Sequence, residues 1–425
     1  MLHRHRHCHR HGRRAAPGAL ALGLIVAACG TDATGPSEPI DTLPRSLTVS
    51  ERAVVEGSNR FAWSLLRQVY DAEPSASVFL SPLSASMALG MTALGAEGDT
   101  WTQMRDMLGF EGLSHEEVGV AYEGLLEMLL DLDPQVRLDI ANSLWHRDAF
   151  TLEAPFLDAV RTHFDAHVEG LDFNDPGAAA AMNRWASDAT QGKIDEVVQP
   201  PIDPLTMLFL MNAVYFKGDW RSGFDPDATQ RQPFHRLDGG TTPVRLMELS
   251  DTLRYAAGEG WVGVELPYGG GAWVMDVIVP EEGRVGDVVA DLPSAVAALH
   301  SASRGGEVRV FLPRFRLEWK RVLNDDLAAL GMTDAFSPAH ADFGRMRADA
   351  RDLGLYVKQV RQNTFVEVNE EGTEAAAVTV VEVGVVCACG PPTVRADRPF
   401  LVVIRERLSG TVLFAGAIVE PPVEG

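Results

Sequence analysis

Cysteine is scarce in this chain, with Cys8, Cys29, Cys387 and Cys389 the only four in 425 residues. Two of them fall in the N-terminal leader region. The other two are separated by one residue, a spacing that strains a disulfide. A fold stapled by disulfides is thereby excluded, and a packed core has to carry stability. Basic charge is also short: 37 Lys and Arg against 59 Asp and Glu leave a net charge of −22. Such a chain is a poor partner for nucleic acid. No internal repeat or long low-complexity block is present, and the apolar run Gly18–Cys29 is too short to span a bilayer as a helix. Catalytic signatures are missing as well. There is no HExxH, no phosphate-binding loop of Walker type, no GxSxG and no CxxC. His163 and His167 stand four apart without the glutamate a zinc motif needs, and read as surface residues. Cys387 and Cys389 lie in a loop that supplies no base or oxyanion donor. The sequence therefore points to no enzyme, no cofactor and no metal.

What is present begins with a leader. Residues 1–14 carry five arginines and alternating histidines, and Gly18–Cys29 is apolar, the pattern of a signal peptide. Val26-Ala27-Ala28-Cys29 resembles a bacterial lipobox, which implies cleavage before Cys29 and lipidation of its thiol. Residues 1–28 are thus expected to leave, taking five positive charges with them. Residues 29–45, rich in Pro, Thr, Ser and Asp, read as a flexible tether. Residues 46–425 form the globular part, with 46% apolar residues over the whole chain to build a core.

Periodicity places the elements. Ser50–Tyr70 carries Val54, Phe61, Leu65, Leu66 and Val69 on one helical face. Val78–Leu80 is a short strand, followed by helices over Ser84–Leu94, His115–Leu132, Glu153–Phe164 and Ala178–Thr190. Strands are expected at Leu138–Trp145 and Leu205–Lys217, and short strands and turns alternate over 231–280. Val308–Phe315 reads as a strand and Leu323–Leu330 as a helix. Phe400–Ile404 and Thr411–Val419 read as buried strands joined at Ser409-Gly410.

One stretch fits none of the usual classes. Thr364–Cys389 starts as a strand, with β-branched and aromatic residues to Val368, and is expected to break at Gly372. The apolar run that follows is too poor in turn residues for a surface loop. Thr373, Ala375, Ala377, Thr379 and Val381 share one strand parity; Glu374, Ala376, Val378, Val380 and Glu382 share the other. One parity is small or β-branched and uncharged; the other carries both glutamates. The segment reads as a strand held in reserve.

Glu370-Glu371-Gly372-Thr373-Glu374-Ala375-Ala376-Ala377 resembles the hinge of the serpins, the serine protease inhibitors. Further similar segments are Ser81–Gly98, NRWASDATQGKI from Asn183, Asn212–Trp220, Asp397–Phe400 and Leu413–Gly416, in the same order, so the likeness runs from about 50 to 420. It implies an α+β serpin fold: a large mixed central sheet, two smaller sheets, eight to nine helices and an exposed reactive loop. It implies that Ser81 and Ser84 support opening of the sheet; taken alone they would be helix caps. Asn212 would be a mid-sheet latch facing Gln362, which stands where the family often has histidine. Trp220 would mark where the loop enters. Glu370 would pair with Arg314 at the surface, worth about 1 kcal/mol or less.

The implied function is suicide-substrate inhibition. The loop from about 372 to 388 would be cut at Val386-Cys387, counting forward from Gly372, or at Ala388-Cys389, counting back from Pro391-Pro392. A small apolar residue before the cut suits an elastase-like or subtilisin-like serine protease. The expected protein is a monomer, exported to the cell envelope and held there by lipid alone, facing periplasm or exterior. A non-inhibitory serpin-fold binding protein or chaperone is the alternative, and its hinge would be expected to be bulky or charged.

Overall fold

The structure, a computed structural model, describes residues 39–373 and 390–422, with backbone only at 304 and 305. The reactive-bond candidates Val386, Cys387, Ala388 and Cys389, the hinge positions Glu374, Ala375, Ala376 and Ala377, and Cys29 lie outside the described residues.

Helix α1 (Val49–Ala72) opens with a capping box: the Thr48 hydroxyl accepts from Glu51 N, and the Glu51 carboxylate accepts from Thr48 N. This satisfies two of the orphan donors of the first turn. Strand β1 (Val78–Leu80) leads into α2 (Pro82–Leu94), where proline sits in the first turn and its missing N–H costs nothing. Nearly every α2 side chain is buried, as expected for a helix under a sheet rather than on a surface. Helices α3 (Gly98–Met107) and α4 (His115–Leu130) follow, the second with a Ser114/Glu117 capping box. Strand β2 (Val136–Arg147), helix α5 (Ala154–Phe164), strand β3 (His167–Leu171) and helix α6 (Pro176–Ala189) lead to the central strand β4 (Leu208–Asp219).

Next come β5 (Gln230–His235), the 18-residue β6 (Thr241–Gly258), β7 (Trp261–Pro267) and β8 (Trp273–Pro280). Helices α7 (Val285–Ala290) and α8 (Leu292–Ser301) precede β9 (Arg304–Pro313), β10 (Phe315–Val322) and α9 (Asn324–Ala329). The chain closes with β11 (Arg361–Val368), the two-residue β12 (Gly372–Thr373), β13 (Thr393–Arg395), β14 (Phe400–Glu406) and β15 (Val412–Ile418).

Among the described residues these strands form two sheets. One has six strands in the order β10-β11-β12-β4-β2-β3, mixed because β2 and β3 run parallel. The other has nine, ordered β1-β15-β14-β8-β7-β6-β9-β13, with β5 on β6. The two smaller sheets implied by the resemblance are thus joined, because the long β6 pairs with β5 and β9 along one part and with β7 further on. Helices α1, α2, α4 and α5 pack with both sheets into one core that includes Phe61, Phe79, Tyr122, Phe164, Trp273 and Phe414. Helix α6 lies on the opposite face of the six-stranded sheet. Its alanines and Met182 pack with Trp145, Phe173, Val198 and Ile202 in a separate small cluster.

Two earlier readings change. His163 is not a surface residue: it is 9% exposed, its Nδ1 meets a Glu123 carboxylate oxygen at 2.8 Å, and it lies against Gly119, where a Cβ would come within 2.5 Å of its ring. The strand read at Val308–Phe315 is two strands, β9 and β10, divided at Pro313-Arg314.

Within the nine-stranded sheet one cation is fully enclosed. Arg405, on β14, donates to Asp276 at 2.7 and 3.1 Å and to Glu265 at 2.7 Å, and the three side chains are no more than 3% exposed. Desolvating three charges is tolerated only because each meets its partner with good geometry. Replacing Arg405 with Met should cost about 3–5 kcal/mol of stability, because Asp276 is left buried without a cation. Denaturant unfolding of Arg405→Met measures this, and an unchanged midpoint would contradict the assignment.

Candidate functional site

The six-stranded sheet has an unusual centre. Strands β4 and β11 are joined, among the described residues, only through β12, which pairs antiparallel with both. Thr373 faces Gly218 and Gly372 faces Asp219 on one side, and Thr373 faces Val368 on the other. The chain therefore leaves β11, turns, and re-enters the sheet between β11 and β4 as the two residues of β12.

The turn is made by Asn369, whose side-chain oxygen accepts from Glu371 N at 3.0 Å and Gly372 N at 3.2 Å. Its own N–H donates to Gly372 O at 3.0 Å. An asparagine that bonds the backbone two residues on is a local turn-maker. The strand break thus falls at Asn369–Glu371 and not at Gly372 as the sequence suggested. Gly372 lies within a strand for a different reason. A Cβ there would stand 2.3 Å from Gly218 O and 2.6 Å from the Asp219 Cα, so only glycine lets β12 approach β4 this closely.

Around the turn the main chain is pinned. Trp220 N donates to Glu371 O and Phe224 N to Glu370 O, both at 2.8 Å, and Trp220 Nε1 donates to Asn369 O at 2.9 Å. Trp220 stacks on Tyr268 with ring centroids 4.4 Å apart. The Tyr268 hydroxyl meets the Thr373 hydroxyl at 2.7 Å, with both residues buried. Burial pushes the Tyr268 phenol well above its ordinary range, so it stays neutral and can hydrogen-bond at any physiological pH. Trp220 thus lies against the Asn369–Glu371 turn.

Glu370 is not the surface partner expected of it. It is 3% exposed, and its carboxylate accepts from Thr229 Oγ1 at 2.7 Å and from Arg314 Nη2. Burial alone pushes its carboxyl up, yet the hydrogen bonds from Thr229 and Arg314 outweigh that and hold it below the usual glutamate range. The turn buries Glu370 because Asn369 directs the backbone inward, a tertiary effect that a pair count cannot show.

Lower in the sheet the polar residues also find different partners from those expected. Gln362 does not bridge to Asn212. Its amide closes a two-bond ring with Ser81, accepting from Ser81 N at 3.2 Å and donating to Ser81 O at 2.7 Å. Asn212 donates to Asn142 Oδ1 at 2.7 Å, and Asn142 in turn to Phe164 O at 2.7 Å. The Asn212 side-chain oxygen is buried with no partner. Ser81 occupies the N-cap position of α2 but makes no side-chain cap bond; its hydroxyl donates to Leu413 O at 3.0 Å. The Ser84 hydroxyl donates to Asn212 O at 3.4 Å. These serines fasten α2 to both flanks, β4 and β11, and are more than caps.

On the other face, the segment after α6 crosses from β4 to β11. Asn363 Nδ2 donates to Glu196 O at 3.1 Å, and Phe365 lies under Lys193 at 4.9 Å and Arg316 at 5.0 Å. Between the strands lies a cavity of about 30 Å³ lined by residues that include Val214, Phe216, Val366, Thr373 and Phe414. Tyr268, Asn369, Thr229 and Asn142 were missed from sequence. Of these only Asn369 carried a local signal, as the turn-former after a β-branched run.

A mixed six-stranded sheet with Gly372 and Thr373 set between β4 and β11, together with the nine-stranded sheet and the helices packed on both, defines an α+β fold of the serpin class. The chain belongs to the serpin family: the family model described as "Serpin (serine protease inhibitor)" matches residues 56–421. It is similar to mouse antithrombin-III, 33% identical over 88% of this chain and 85% of that protein. It is also similar to the human leukocyte elastase inhibitor, 32% identical over 86% and 98%. Among solved structures, the thermophilic serpin tengpin in its native state superposes with a TM-score of 0.79 at 28% identity, over 88% of this chain and 95% of that one. Human thyroxine-binding globulin superposes with a TM-score of 0.78 at 27% identity, over 88% and 100%.

The Glu370 contacts give a pH dependence of definite sign. A folded-state value below the unfolded one adds stability above the ordinary glutamate range, about pH 4.3, and that stability is lost as pH falls through the folded value. Glu370→Gln should therefore cost roughly 1–3 kcal/mol at pH 7, with the difference from the parent shrinking toward pH 3. Urea unfolding at the two pH values checks it. A difference that grows on acidification would contradict the assigned contacts.

Proposed function

We propose that this protein inhibits serine proteases as a suicide substrate, and that cleavage of its reactive loop sends residues from about 372 to 388 into the six-stranded sheet between β4 and β11. The observation that carries this is β12: Gly372 and Thr373 already sit at the head of that path, antiparallel to both neighbours. Of the residues that follow, Ala375, Ala377, Thr379 and Val381 on one parity are small or β-branched, and both glutamates, Glu374 and Glu382, fall on the other, so one parity can be buried and the other left wet.

The chemistry belongs to the protease. Its serine oxygen attacks the carbonyl of Val386, or of Ala388, and forms an acyl ester as the peptide bond breaks. The new amine of Cys387, or of Cys389, is the leaving group. Cutting frees one end of the loop, which can then gain ladder bonds on two sides and draw the esterified protease with it before water reaches the ester. A small apolar residue before the cut favours an elastase-like or subtilisin-like target, and similarity to the leukocyte elastase inhibitor agrees with this. The leader and Val26–Cys29 support export and a lipid anchor at Cys29 in a bacterial envelope, with the protein acting as a monomer.

Incubating the protein with elastase should yield a complex that survives SDS. Thr373→Arg should abolish that complex while the loop is still cut, because Thr373 is 5% exposed and a guanidinium cannot be buried there without a partner. Full complex formation by the variant would refute the insertion route, and no complex with the parent would refute inhibition of this class of target.

A further inference from the structure

Residues 39–45 belong to the stretch that composition marked as a tether, yet Ile40, Leu43 and Leu47 pack against the core. Three apolar side chains within eight positions are enough to hold a short segment down, provided that its backbone groups find partners. They do. Ile40 N donates to Gly270 O at 2.9 Å, and Arg407 Nη2 donates to Ile40 O at 2.6 Å and to Asp41 Oδ1 at 3.0 Å. Further along, Arg45 forks onto both oxygens of Glu51 at 2.7 Å and reaches Gly124 O at 2.9 Å.

The far side of these contacts is one tight turn, Gly269–Gly271. Gly269 and Gly271 have φ of +42° and +87°, so the turn needs glycine, and glycine brings no side chain to hold it in place. Gly271 N closes the turn on Tyr268 O at 2.7 Å, and the remaining contacts come from outside. Arg407 Nε donates to Gly271 O at 2.8 Å and Arg221 Nη1 to Gly270 O at 3.0 Å. Ile40 covers Gly270 so closely that a Cβ there would lie 2.7 Å from the Ile40 Cδ1. The residue immediately before this turn is Tyr268, which stacks on Trp220 and bonds Thr373. The same turn returns a hydrogen bond from Gly269 N to Asp219 O at 2.9 Å, on the strand residue that faces Gly372.

We propose that Ile40, Asp41 and Arg407 are positioning residues for the hinge. The segment ahead of α1 braces the glycine turn, the turn fixes Tyr268, and Tyr268 sets how firmly Gly372 and Thr373 stay docked between β4 and β11. The inference rests on reading those two residues as the hinge of an insertable strand. It adds that the chain preceding the first helix controls the starting position of that strand.

The test is amide hydrogen exchange on the intact full chain, comparing the parent with Arg407→Gln and with Ile40→Gly. The second variant removes one half-buried side chain ahead of the first helix and keeps the fold if the first does not. The amides to follow are those of Trp220, Phe224 and Gly372, which donate to Glu371 O, Glu370 O and Asn369 Oδ1. Each variant should speed their exchange about fivefold or more and leave the β14 and β15 amides unchanged. Faster exchange confined to residues 268–272, or equal acceleration everywhere, would overturn the proposal, because either marks a merely structural contact. Exchange is read without any protease, so a parent that fails to trap elastase would sink the inhibitory reading and leave this measurement standing.

Discussion

The approach of Gly372 to Gly218 is the constraint on which the central sheet depends. No other residue could bring β12 within hydrogen-bonding reach of β4, because a single Cβ would collide with the Gly218 carbonyl. Glycine at 372 is therefore a requirement of the pairing between β12 and β4. Once it is in place, Thr373 reaches the Tyr268 hydroxyl, Glu371 O meets Trp220 N, and Glu370 turns inward to Thr229 and Arg314. Each contact is of ordinary strength, about 0.5–1.5 kcal/mol for neutral hydrogen bonds and more for the charged ones. Together they make a docked start for a strand.

The rest of the sheet is arranged so that its two halves can be treated separately. Asn212 belongs to the β2–α5 side through Asn142, and Gln362 to the α2 side through Ser81. Helix α2 lies beneath both, tied to β4 by Ser84 and to β11 by Ser81. Among the described residues no side-chain hydrogen bond joins β4 to β11, so separating them need not break one. On the α6 face, Lys193 and Glu196 of the segment after α6 contact β11 through Phe365 and Asn363.

Much of the fold was legible because local pattern and tertiary role agree. Strands β14 and β15 are apolar at almost every position and are buried throughout. Helix α1 carries its apolar stripe and its cap in sequence. Where pattern and role part, reading failed. Strand β10 alternates cleanly, with Phe315 buried and its even-numbered neighbours wet, but Pro313 masked its start. Helices α7 and α8 are short and fall in a region dominated by strand-formers. Strand β3 is mostly exposed and gains its place only by pairing parallel with β2. At the site, Gly372, Thr373 and Trp220 stood out through their resemblance to a known hinge. Tyr268 did not, because its partner is 105 residues away and its neighbours are glycines that read only as a turn. Glu370 was placed at the surface because a charged residue beside a turn is normally solvated; the Asn369 turn reverses that.

In the proposed mechanism, each residue of the cut loop that enters between β4 and β11 adds ladder bonds of about 1 kcal/mol net. The direct test is thermal unfolding before and after the loop is cut once within residues 380–389 by a protease that is then removed. The account expects the cut protein to melt higher by about 20 °C or more, despite its broken backbone. A cut protein that melts at or below the temperature of the intact chain would contradict it.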